Sequence, residues 1–116
     1  MEKTMQNMDL VLSKIESELN RGSIRAVETL AETYYKLLER FYGVGHDFKD
    51  EISDFIKQLE TLNKLKNEID TEIEDSLIKG RYVSAFNLTT IANTIIESIK
   101  YVELLKQNYS NRNKED

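Results

Sequence analysis

Residues Ser76 to Phe86 read SLIKGRYVSAF. An apolar end, Leu77-Ile78, runs into Lys79-Gly80, and Tyr82-Val83 and Ala85-Phe86 resume the apolar pattern at once. The chain contains no proline, so glycine is its strong breaker, able to enter the left-handed conformation that ends a helix. The phrase is predicted to be a helix stop, a tight turn and a restart: Gly80 turns the chain, Tyr82 covers the joint, and the small Ala85 lets two helices approach. So short a join leaves its helices antiparallel, and the fold depends on how often the device recurs.

All four glycines, Gly22, Gly43, Gly45 and Gly80, fall between apolar-periodic segments. Before Gly22, Met1, Met5, Met8, Leu12, Ile15 and Leu19 lie on one helical stripe. From the N-cap Ser23 to about Tyr42, Ile24, Val27, Leu30, Ala31, Tyr34, Leu38 and Phe41 form a second. A third helix is expected from Asp47, a carboxylate cap, with a stripe from Phe48 through Phe55, Leu62 and Ile69 to Leu77. It would be about 50 Å long, against about 30 Å for the first two. Thr71-Glu72-Ile73-Glu74 reads as a capping box, so a bend or restart is expected near Asp70. The fourth helix runs from about Arg81 to Asn108, and 109–116 is expected to be a disordered tail.

Two helical hairpins therefore pack as an all-α, up-down four-helix bundle, a single domain over 1–108 with helices three and four longer than one and two. The halves echo each other at a shift of 58 positions, where Ile15/Ile73, Leu19/Leu77, Gly22/Gly80 and Leu30/Leu88 coincide. Either the hairpin was duplicated, or any helix-glycine-helix unit selects these residue types.

Composition narrows the function classes. With 116 residues and no cysteine, the chain builds one core by packing alone, without disulfides, thiolate metal sites or cysteine nucleophiles. No segment has the apolar length of a membrane span, and the polar start MEKTMQNMDLVLSK is unlike a signal peptide, so a cytoplasmic protein is expected. The net charge of -5 disfavours nucleic acid as a partner. One histidine cannot furnish the paired Glu-x-x-His sites of bundle metal centres, and no phosphate-cradling glycine loop is present, so neither metal nor cofactor is expected. The acidic groups Asp47, Asp50, Glu51 and Asp54, and Glu68, Glu72 and Asp75, read as solvated faces. Tyr34, Tyr35, Phe41, Tyr42 and Phe48 read as core packing around the second connection.

Within SLIKGRYVSAF, Lys79, Gly80, Tyr82, Val83, Ala85 and Phe86 match the phrase of a small archaeal helical-hairpin family of unknown function, which this stretch resembles over about thirty residues. Arg81 departs from the acidic residue usual after the glycine. The resemblance implies a helical hairpin and no activity. More distantly, Arg40 and His46 resemble the Arg, four to six residues, His motif of HEPN ribonucleases, some of which serve in toxin-antitoxin systems. That resemblance implies His46 as acid or base on a ribose hydroxyl and Arg40 on the phosphorane, shared across a dimer axis. Phe41 in place of a polar residue and the intervening glycines depart from it. Read from the residues themselves, Arg40 is a cation in a last helical turn and His46 adjoins a cap. IRAVETL followed by LLERFYGVGH is similar, more weakly, to translin-like helical proteins.

The expectation is a non-enzymatic helical protein that binds another protein, itself first, as a homodimer; the alternative is a HEPN-like RNA-binding protein or a ribonuclease of a toxin-antitoxin type system. Because helices three and four outrun the others, the apolar stripes at Leu62, Leu65 and Ile69 and at Ile99, Val102 and Leu105 are expected to lack cover within the chain and to form the interface.

Overall fold

The computed structural model describes residues 2–43 and 51–115. They form four helices, α1 (Glu2–Asn20), α2 (Ile24–Gly43), α3 (Ile52–Ile78) and α4 (Tyr82–Glu115), with no strand among the described residues. The last two, of 27 and 34 residues, are longer than the first two, of 19 and 20. The result is a four-helix bundle of two antiparallel hairpins, 55 × 25 × 20 Å in extent.

Both hairpin turns use the same backbone device. After α1, Gly22 N–H donates to Leu19 O at 3.1 Å and Ser23 N–H to Glu18 O at 3.0 Å; after α3, Gly80 N–H donates to Leu77 O at 3.2 Å and Arg81 N–H to Ser76 O at 2.8 Å. These paired bonds are the Schellman closure, which satisfies the carbonyls a helix end leaves open and needs a left-handed residue at its centre. Gly22 and Gly80 supply it at φ 77° and 75°. Each next residue starts a new helix, Ser23 O accepting from Val27 N–H and Arg81 O from Ala85 N–H.

The hairpins lie side by side with like helices parallel. Along α1 and α3, Met5 and Asp9 meet Gln58, and farther on Glu16 meets Lys64. Along α2 and α4, Ile24 and Leu88 line one cleft, and farther on Tyr35 meets Tyr101. The order around the bundle is therefore α1-α2-α4-α3, with α1 diagonal to α4 and α2 diagonal to α3. One continuous core fills the centre, in which Met8, Ile15, Tyr34, Leu38, Phe41, Phe55, Leu62, Leu65, Ile91 and Ile95 are completely buried.

Two expectations about helix extent change. Helix α3 passes Asp70 without a break: Thr71 Oγ1 donates to Asn67 O at 3.1 Å, bonding back into its own helix instead of capping a new one. Helix α4 runs on to Glu115, so the backbone of residues 109–115, expected as part of a disordered tail, is helical. Lengthening an existing helix fixes one residue per added bond and avoids the nucleation cost, so polar residues free of Gly and Pro can continue it. Asp47 as a cap and Phe48 as a core residue lie outside the described residues.

Beyond its two chain neighbours, no described residue comes within 4 Å of where a Cβ on Gly22 would sit, so Gly22→Ala should lose only the backbone term for a left-handed L-residue. That term is about 1–2 kcal/mol, and calorimetry should show the melting temperature falling by about 4–8 °C.

Candidate functional site

The expected interface residues are covered within the chain. Leu62, Leu65, Ile69, Val102 and Leu105 are fully or almost fully buried, and Ile99 is 8% exposed. Helix α1 lies along α3 at that level, where Lys64 Nζ reaches Glu16 Oε1 at 3.1 Å, and α2 lies along α4, where the Tyr35 and Tyr101 rings meet edge to face at 5.7 Å. The mismatch in helix length does leave apolar residues bare, but at the other end of the bundle.

The reason is a slide between the hairpins. In sequence, Gly80 lies 58 positions after Gly22, whereas residues that touch across α1 and α3 are 53, 49 and 48 apart. The second hairpin is thus displaced toward its own turn by five to ten residues, and the Gly80 turn clears the Gly22 turn by about 8–15 Å at 1.5 Å per residue. Beneath the projecting end, Leu19, Gly22, Ile24, Glu72, Arg81 and Leu88 are among the residues lining a cleft of about 210 Å³.

The projecting end is apolar and bare. Leu77 is 53% exposed, Ile78 77%, Tyr82 69%, Val83 76% and Phe86 72%, all within two turns of Gly80. Tyr82, although exposed, lies over the joint as expected, its hydroxyl 4.0 Å from where a Cβ on Gly80 would sit, whereas Phe86, read in sequence as part of the apolar stripe, faces solvent. Ser76 and Ala85 close the α3–α4 seam beneath them, both buried. Lys79 and Arg81 flank the apex, with Glu74 and Asp75 one turn behind; Lys79 Nζ lies 3.0 Å from Asp75 Oδ2.

A polar chain, buried at Tyr34 and Gln58 and ending on the exposed Asp9, sets the slide. Tyr34 on α2, fully buried, donates its hydroxyl to Gln58 Oε1 on α3 at 2.7 Å. Gln58 Nε2 in turn donates to Asp9 Oδ1 on α1 at 2.9 Å and lies 3.0 Å from Met5 Sδ. Gln58 escapes a reading by apolar pattern. Its one signal in the sequence is a lone amide on the Phe55 to Leu62 stripe, a position where burial demands a partner. Burial, with Asp9 adding to it, pushes the Tyr34 phenol far above its ordinary range.

Arg40 is exposed in the last turn of α2, and His46 lies outside the described residues. No cluster of metal-ligating side chains occurs among the described residues, and no helix there is long and apolar enough to cross a membrane. Comparison with known proteins finds no matching family model, no matching curated protein and no matching solved structure.

Two measurements check the polar chain. Gln58→Leu should strand the Tyr34 hydroxyl and cost about 1–3 kcal/mol in urea unfolding, with Tyr34→Phe added to it recovering most of the loss. The raised phenol pKa means that, above about pH 10, the unfolded chain releases a proton the folded chain keeps. Stability should be insensitive to this group below that pH and fall above it by about 1.4 kcal/mol per pH unit, a component absent in Tyr34→Phe.

Proposed function

We propose that this chain is a non-enzymatic helical interaction module that binds protein, its own kind first, through the projecting end of the α3–α4 hairpin. The observation that carries the reading is the cluster of five large apolar side chains bared on either side of Gly80, where among the described residues the other large apolar side chains are covered or bared singly. Isolated apolar residues at a surface, such as Leu10 and Leu104, are ordinary; a contiguous group of this size on a rigid support marks a contact surface. Tyr82 and Phe86 are stiff aromatic anchors that lose little rotational freedom when covered. The Schellman turn holds the two helix ends in place, so little ordering is needed on binding.

A photoreactive amino acid at position 86, in the full chain expressed in its native host, tests this. It should yield discrete protein adducts, the chain's own among them, that a probe at the exposed Asn63 does not give. Identical adduct patterns from the two positions would refute the reading.

A further inference from the structure

We infer that two copies of this chain pair through their projecting ends in a side-by-side, two-fold contact, with Lys79 and Arg81 of one copy set against Glu74 and Asp75 of the other. The inference rests on the reading of that end as a protein-contact surface, and it names the first occupant.

Three observations favour a second copy. The first is the order of charges: acidic at 74 and 75, apolar at 77 and 78, basic at 79 and 81, apolar again at 82, 83 and 86. In an isologous interface residue i meets j and j meets i, so a surface must complement itself when inverted. This one does, because turning a second tip over lays its basic apex beside the acidic turn of the first and apolar side chains against apolar side chains.

The second is length. Bringing position 81 of one copy level with position 75 of the other requires an overlap of about five or six residues, roughly 8–9 Å. That fits within the length by which the Gly80 turn clears the Gly22 turn, so each tip would stop short of the other copy's first hairpin.

The third is area and charge together. The five exposures correspond to about 600–700 Å² per copy, so complete burial of both clusters would cover at most about 1,300 Å², which reaches the range of specific interfaces. Each chain carries a net charge of -5. Contact at the ends of molecules 55 Å long keeps most of that like charge farther apart than the screening length of about 8 Å at physiological salt.

A lipid surface fits less well. Lys79 and Arg81 stand at the apex and would enter first, whereas inserting segments place apolar residues deepest and hold cations at the rim.

Light scattering and sedimentation of the purified chain test the pairing. The wild type should weigh twice the 13.6 kDa of one chain at tens of micromolar, and Phe86→Glu should weigh 13.6 kDa with its helical circular dichroism intact. Lys79→Glu/Arg81→Glu alone, and Glu74→Lys/Asp75→Lys alone, should each weaken self-association at least tenfold. Mixed together, the two variants should form a heterodimer, because each cross-contact then pairs opposite charges. A wild type that stays monomeric at hundreds of micromolar, or a dimer indifferent to Phe86→Glu, overturns the inference. If that monomer's position-86 probe still captures another protein, the interaction-module reading survives and only the occupant is wrong. If instead it cosediments with phosphatidylserine vesicles and captures no protein, both readings fail.

Discussion

A phenol taken wholly out of water has to keep a hydrogen-bond partner, since a stranded hydroxyl in a core costs as much as a substantial share of a small domain's net stability. In this chain Tyr34 meets that demand across the bundle's diagonal, through Gln58, whose amide is held in turn by Asp9. Three helices are thereby tied at one level. Apolar side chains alone tolerate sliding by a turn, because one ridge of leucine and isoleucine packs much like the next. The amide does not, because displacing it by a turn would leave both Tyr34 and Gln58 unpaired.

That register dictates the shape of the molecule. Two hairpins with the same turn and similar stripes would end flush if packed in the register of their sequence echo. Held several residues out of it, they form a step, and the last turn of α3 and first turn of α4 project past the place where α1 and α2 reverse. Residues that a flush bundle would have covered become surface. The exposed Tyr82, Val83 and Phe86 are thus a geometric consequence of a polar contact among Asp9, Tyr34 and Gln58, all of them several helical turns away from Gly80.

The local architecture is legible because its causes are local. The 3.6-residue spacing of Met5, Met8, Leu12 and Ile15, and of Val27, Ala31, Tyr34, Leu38 and Phe41, predicts buried stripes, and these residues are buried. Gly22 and Gly80 predict helix stops, and both close Schellman turns. Where a local rule misleads, a neighbour overrides it. Thr71 has the capping-box pattern, but in a continuous helix its hydroxyl finds the Asn67 carbonyl first. Phe86 looks like a core residue by type, yet its place outweighs its type: Ala85 and Leu88 hold the inward face, and the position beside Ala85 points out.

The surface proposed for binding is half legible. That helices three and four outrun one and two can be read from the apolar pattern and the glycine positions, and so by itself the amino-acid sequence determined the helices, their turns, the two-hairpin bundle and the mismatch in helix length. Which end overhangs was decided only by tertiary structure. Contacts between residues 48 to 53 positions apart set the slide, and no periodicity within a single helix records them. The physical reason is that a stripe specifies which face of a helix turns inward, an angle about its axis, but leaves translation along that axis to be chosen by the few side chains that must find one particular partner.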